Sequence, residues 1–316
     1  MQSPGLPATA DEGTALDALL PYRPPYHWPA MLAFLAARSV PATESIAGEV
    51  YRRTLRVGTT DEPVAGIATV THDTGRQALR VTLSPGLVRG SAQALVQLRQ
   101  LFDTDCDPQA IAQVLGELAR ADPGLRMPGA ADPFEIVVRA ILGQQITVAA
   151  ARTLATRFVA RFGDALPGPI APSAPGASTP PVAAPGLTHL FPRASAVAPL
   201  EAAQLGEIGI IRARGQAIID VARALAAGTL RLDRDADVDA TLAALTSIRG
   251  IGPWTAHYVA MRSLGWTDAF PPGDVVVFKA LRVATPAAAA ALAERWRPWR
   301  AYALLHLWRR RAVGAH

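Results

Sequence analysis

LTSIRGIGPWTAHYVAM, Leu245 to Met261, followed by FPPGD ending at Asp274, is the stretch on which the reading of this chain turns. The glycines at 250 and 252 permit a backbone turn tight enough to aim successive N–H groups outward, and Pro253 opens a helix whose positive end faces the same way. Such a turn binds phosphate. The helix carries Trp254, Tyr258 and Met261 at i, i+4 and i+7, which predicts one aromatic, soft face, and the loop beyond returns the carboxylate of Asp274. A lone Gly-x-Gly would be read as a plain joint between two helices. GIGPWTA in this setting reads instead as a phosphate clamp beside a stacking wall and an acid, a combination suited to chemistry on a nucleotide base.

Working outward, residues 1–20 are rich in Pro, Gly, Ala and Thr and read as a loose tail. Pro29 can open a helix running to about Arg38. Residues 50–57, 64–71 and 78–83 show β-branched and alternating patterns; in the last, Leu79, Val81 and Leu83 face one way and Arg80 and Thr82 the other. An antiparallel sheet is expected there. From Ser91 the pattern turns helical, with start signals at Ser91, at Asp107-Pro108, and at Asp132-Pro133, where Glu135 completes the spacing of a capping box. The predicted organisation is a tail (1–20), an N-terminal α+β domain (21–104) and an all-α body of two subdomains (105–316). Within the body the hairpin lies near 245–264, opened by Asp237. Residues 163–186, a Pro/Ala/Gly stretch, read as a surface loop between helices, and periodicity resumes near Leu200 and runs to Ala227 before Gly228.

At 316 residues and half apolar, the chain has a sizeable core available to it. Net charge is +5, and Lys279 is the only lysine. Arginine forks onto phosphates and stacks on bases, which suits a nucleic-acid partner, although a GC-rich genome produces the same bias without functional meaning. Cys106 is the only cysteine, which excludes an internal disulfide and a four-cysteine iron–sulfur cluster and is compatible with a reducing compartment. No secretory signal opens the chain and no apolar run approaches the roughly 18 residues of a spanning helix. A cytoplasmic protein without a membrane partner is expected.

The run at 245–261 is similar to the hairpin of helix-hairpin-helix DNA glycosylases, repair enzymes that cut a damaged base from its sugar. That superfamily carries L-x-x-(I/L)-x-G-(I/V)-G-x-x-T-A and then a loop ending in the catalytic Asp, and every fixed position is filled here. The likeness reaches the monofunctional DNA-3-methyladenine glycosylase II (AlkA-type) branch through PPYHWPAMLAFLAAR (24–38), LFDTDCDPQAI (101–111), PGLRMPG (123–129), RAILGQQIT (139–147) and ERWRPWRAYALLHLW (294–308).

The resemblance implies a fold and a set of roles. The fold is α+β, an antiparallel sheet with helices followed by an all-α helix-hairpin-helix body. Phosphate would meet the amides of Gly250, Gly252 and Thr255. A monovalent cation, Na+ or K+, would be held by the backbone carbonyls of Thr246, Ile248 and Ile251; no other cofactor is implied. Phe34, Trp254, Tyr258 and Trp308 match the base pocket, where electron-rich rings stacked on a cationic alkylated base gain about 0.5 to 2 kcal/mol of cation–π attraction. Plain core packing is the alternative for each, and Trp296 and Trp299 are assigned to structure. Relatives that also nick DNA place a lysine where Trp254 stands, because a Schiff base needs an amine; Trp there implies a monofunctional enzyme. Asp274 is the catalytic candidate, either stabilising the oxocarbenium character of the sugar or deprotonating water. Asp268, six residues early, reads as a cap or surface acid. Gln145 takes the wedge position that fills the space left by a flipped base, where the family's best-known form has an apolar side chain. The implied partner is damaged double-stranded DNA, bound by a monomer. The alternatives are a catalytically inactive hairpin DNA-binding protein, which would lose the acid or the pocket aromatics, and an oxidised-purine glycosylase/lyase, which would need the lysine.

Overall fold

A computed structural model describes residues 14–58, 62–167 and 186–313. Its N-terminal part is a five-stranded antiparallel sheet in the order β1 (Leu16–Pro21), β5 (Ala78–Leu83), β4 (Pro63–Asp73), β3 (Val50–Gly58), β2 (Glu44–Ala47). Alternation makes the strands: Leu79, Val81 and Leu83 are fully buried while Arg80 is exposed, and the register pairs Val70 with Val81 and Tyr51 with Val70. Helices α1 (Trp28–Arg38) and α2 (Ser91–Phe102) cover one face. Trp28, Met31, Leu32 and Leu35 of α1, at i, i+3, i+4 and i+7, join Leu98, Leu101 and Phe102 of α2 in one core with the sheet.

Two features of this part depart from the sequence reading. Residues 16–20 belong to β1 and not to a tail, because Leu20 packs into the core and pairing with β5 satisfies the backbone groups on the outer side of that strand. The strand β2 is only four residues long, too short for its alternation to stand out. Residues 1–13 lie outside the described residues.

The remainder is helical: α3 (Pro108–Leu115), α4 (Glu117–Arg120), α5 (Pro133–Leu142), α6 (Val148–Phe162), α7 (Ala194–Val197), α8 (Ala202–Gly206), α9 (Arg212–Ala226), α10 (Val238–Ser247), α11 (Pro253–Ser263), α12 (Val275–Leu281), α13 (Pro286–Ala293) and α14 (Arg300–Val313). Aspartates start several of them: Asp107 accepts the amides of Gln109 and Ala110, Asp132 that of Phe134, and Asp237 that of Ala240. One core gathers α5, α6, α9 and α11, with α5 buried nearly all round. A second gathers α3, α4, α13 and α14. Met261 is fully buried in that second core rather than extending the aromatic face of α11. Of the 163–186 stretch, Ala165 bridges to His189, and residues 168–185 lie outside the described residues. No single helix among the described residues is long and apolar enough to cross a membrane.

Glu135 does not close a capping box. Its carboxylate turns inward to Arg53 of β3 at 2.8 Å and Arg139 at 2.5 Å, and Arg53 and Arg139 also reach Glu44 of β2 at 3.4 and 3.2 Å. Of these four groups at the junction of sheet and body, Glu44, Arg53 and Glu135 are buried and Arg139 partly so, and each meets two of opposite sign; removal of one would leave a buried partner short of its complement, at about 3–5 kcal/mol. Arg139 also donates to the carbonyl of Arg38, which pins the end of α1 against α5. Through that pin the sheet domain holds Phe34 and Arg38 over the body.

Candidate active site

A cleft of about 1190 Å3 opens where α1, the α5–α6 loop, the hairpin, the start of α12 and α14 meet. Phe34, Gln145, Trp254, Tyr258, Asp274 and Trp308, spread over most of the chain, all line it. Chain proximity explains only the Trp254–Tyr258 pair. These two rings, one helical turn apart on α11, stack with centroids 5.3 Å apart and planes 9° from parallel, and Trp308 stands 6.3 Å from Tyr258.

Asp274 ends the FPPGD loop and caps α12. Gly273, at φ +79°, turns the chain in a conformation that other residues rarely adopt, and the carboxylate then faces both ways. Oδ1 accepts the amides of Val276 and Val277, each at 2.9 Å, while Oδ2 accepts the indole N–H of Trp254 at 3.0 Å and of Trp308 at 3.1 Å. The residue is only 6% exposed. Four donors hold one negative charge at the edge of an aromatic cleft. Asp268 is elsewhere and is no simple surface acid: it forms a bidentate pair with Arg300 at 2.7 and 2.8 Å and also meets Arg297 at 2.8 Å.

At the hairpin, Gly250 has φ +97° and a Cβ there would lie 3.5 Å from the Ala217 Cβ, so the turn rests directly on α9. The amide of Ile251 is used internally, on the Ile248 carbonyl at 3.0 Å. Those of Gly250, Gly252 and Thr255 reach no acceptor among the described residues, which leaves donors for an anion at the start of α11. The carbonyls of Thr246 and Ile251 likewise accept no hydrogen bond among the described residues, and that of Ile248 keeps one lone pair beside its bond. This oxygen set fits a monovalent cation. Gln145 is exposed, with φ +55°, at the tip of the α5–α6 loop.

The structure adds residues that motif reading passed over. Arg262 donates to the Tyr258 hydroxyl at 2.6 Å and to the Gly129 carbonyl at 3.0 Å, and its guanidinium lies 5.1 Å from the centre of the Phe34 ring. Arg38 covers the same ring at 3.9 Å. Burial works to raise the phenol of Tyr258, but Arg262, Arg38 and Arg139 outweigh it and hold the group below its ordinary value. Burial pushes the Arg38 guanidinium down, and Tyr258 opposes that. The pocket is therefore an aromatic wall backed by cations. Arg262 could have been found, since it continues the i, i+4, i+8 line of Trp254 and Tyr258; Arg38 gives no comparable signal.

Comparison with known proteins identifies the family of the chain. Residues 18–132 match the AlkA N-terminal domain, and residues 138–298 match the HhH-GPD superfamily base excision DNA repair protein family. The chain is 38% identical over 292 residues to DNA-3-methyladenine glycosylase 2 of Escherichia coli, covering 92% of this chain and 95% of the relative. It is 35% identical over 311 residues to a probable bifunctional transcriptional activator/DNA repair enzyme AlkA of Mycobacterium tuberculosis, covering 95% of this chain but 58% of that protein. Among solved structures, a 3-methyladenine DNA glycosylase from Archaeoglobus fulgidus superposes with a TM-score of 0.71 at 21% identity, over 92% of this chain and 96% of that one. An 8-oxoguanine glycosylase/lyase of Clostridium acetobutylicum, in complex with double-stranded DNA, reaches 0.59 at 14% identity over 84% and 86%. These two likenesses concern the fold.

Proposed function

Because this chain belongs to the HhH-GPD superfamily of base excision DNA repair proteins and, within it, to the DNA-3-methyladenine glycosylase 2 family, we propose that its cleft excises alkylated bases by the chemistry of Asp274. The protein is a DNA glycosylase of base excision repair acting on alkylated bases. The finer reading is a monofunctional hydrolase that flips 3-methyladenine, 7-methylguanine and similar bases out of duplex DNA. The observation that carries it is the Asp274 carboxylate, held by two indoles at the mouth of an aromatic cleft beside unused hairpin amides.

Cleavage of the N-glycosidic bond leaves positive charge on the sugar, and a fixed carboxylate lowers the energy of that state. With four donors on its two oxygens, Asp274 has little free lone-pair capacity to take a proton from water, which favours electrostatic stabilisation over general-base work. Trp254, Tyr258 and Trp308 supply the stacking surface for the lesion, with Phe34 behind them. The amides of Gly250, Gly252 and Thr255 hold a backbone phosphate, Na+ or K+ on the carbonyls of Thr246, Ile248 and Ile251 would add positive charge beside it, and Gln145 occupies the vacated stack. Trp254 stands where a lyase carries its lysine, so the product is an abasic site. The protein acts as a cytoplasmic monomer on this reading.

The test is release of free bases from methylated duplex DNA, separated by chromatography. Wild type is expected to release 3-methyladenine and 7-methylguanine and to leave the strand uncut; no release would overturn the assignment.

A further inference from the structure

The wedge loop is tied to the phosphate clamp by one side chain that neither role uses. Gln144, between Gly143 and the candidate wedge Gln145, sends its amide nitrogen to the Gly250 carbonyl at 2.9 Å and to the Thr255 hydroxyl at 3.2 Å. The orientation of this amide is decided by its partner: a carbonyl faces it, and only the NH2 end can answer one. On the other side of the residue, Arg214 of α9 donates to the Gln144 carbonyl, while the Gln144 amide bonds to the Ile141 carbonyl at 3.3 Å. Backbone before the wedge is therefore held from three directions, by α5, by α9 and by the hairpin.

Gln145 itself sits at φ +55°. A residue other than glycine is strained in that region, and the conformation persists only where the surroundings impose it. Its own side chain has no hydrogen bond among the described residues, so the constraint comes through the backbone from Gln144. A wedge works only if it resists the tendency of the flipped base to return to the stack. A side chain on an unsupported loop would yield instead.

We propose that Gln144 is a positioning residue that couples the hairpin to the wedge, so that phosphate held at Gly250, Gly252 and Thr255 sets the point at which Gln145 enters the duplex. This rests on the glycosylase reading above. The hairpin amides and the wedge then act as one rigid unit, with Arg214 bracing it from α9. The role rests on the bonds that Gln144 makes to the Gly250 carbonyl and the Thr255 hydroxyl.

The experiment is a double-mutant cycle between positions 144 and 145, read by single-turnover release of 7-methylguanine from duplex and from single-stranded DNA. Gln144→Met keeps the length and removes the donor. It is expected to slow duplex excision about tenfold, the effect of losing one or two ordinary hydrogen bonds, and to lower the ratio of duplex to single-strand rates by the same factor. Affinity for undamaged duplex is expected to stay within about twofold, because the hairpin amides are untouched. In a Gln145→Gly background, Gln144→Met is expected to slow excision little further, since the group that it positions is gone. Gln144→Glu, isosteric but with an oxygen facing the Gly250 carbonyl, is expected to behave as Gln144→Met, and thermal melting checks that both variants fold. Independent, multiplying losses in the double variant, or equal losses on both substrates, would overturn the coupling. Absence of release by wild type would instead overturn the glycosylase reading.

Discussion

At Asp274 one carboxylate does two jobs, capping α12 with Oδ1 and meeting Trp254 and Trp308 with Oδ2, and this predicts how its loss will look. Asparagine caps helices as well as aspartate does, so Asp274→Asn is expected to fold normally. It removes the charge opposite the sugar, and its NH2 would face two indole donors. Base release is expected to fall by about a thousandfold while duplex binding persists, which rate and binding assays on the same preparation would check. Asp268→Asn is the contrast: it loosens the pairs with Arg300 and Arg297, so melting is expected to drop by about 1–3 kcal/mol in stability with excision per folded molecule unchanged. If Asp268→Asn were the inactive one, the acid has been misassigned. Trp254 has a similar double duty. Wild type treated with borohydride during turnover is expected to trap no protein–DNA adduct, since no amine stands at that position; a trapped band on a denaturing gel would refute a monofunctional enzyme.

The hairpin behaves as an element whose geometry matters more than its side chains. Gly250 rests on Ala217 at φ +97°, so Gly250→Ala meets no severe clash but demands a strained backbone. The turn is expected to relax and its amides to swing away from the phosphate. Affinity for duplex, measured by anisotropy, is expected to fall about fivefold to tenfold, alike for damaged and undamaged DNA, with melting lowered by about 1 kcal/mol in stability. A loss confined to damaged DNA would place Gly250 in lesion recognition instead.

Over the whole molecule, two buried titrating groups set opposite slopes of stability against pH. His306 of α14 is pushed from the usual 6.5 down to about 4 by burial, opposed by Asp122 and aided by Arg310 and Arg309. The folded state refuses a proton that the unfolded chain accepts, so stability present above pH 6.5 is lost as the pH falls toward 4. Asp132, at the start of α5, is raised from 3.8 to about 6 by burial and by Glu135, and its contribution, present below 3.8, is lost as the pH rises through 6. The two shifts are similar in size and nearly cancel. Relative to wild type, His306→Gln is expected to become more stable as pH falls from 6.5 to 4, and Asp132→Asn to become less stable over the same range; identical Tm profiles for all three proteins would contradict this. At the same scale, binding to undamaged duplex is expected to be independent of sequence and to weaken steeply between about 50 and 200 mM salt, since phosphate contacts dominate it. A footprint at one sequence that survives high salt would count against a backbone-reading clamp.

What the sequence determined alone was local. The Gly-x-Gly turn, the aspartates that open α3, α5 and α10, the alternation of β3 to β5, and the placing of Trp254 above Tyr258 all follow from spacings of a few residues, where propensity and period decide the outcome. The family motif also pointed to Asp274, because the loop that carries it is short and follows the hairpin directly. Tertiary structure decided what depends on groups far apart in the chain. It recruited Leu16–Pro21 as an edge strand, turned Glu135 from a cap to the guanidinium groups of Arg53 and Arg139, and sank Met261 into the core. It brought Trp308 to share Asp274 with Trp254, laid Arg38 and Arg262 against Phe34, and tied Gln144 to the hairpin. No local period encodes these pairings, because burial selects among polar partners only when distant elements have packed and each buried charge or donor must find its complement.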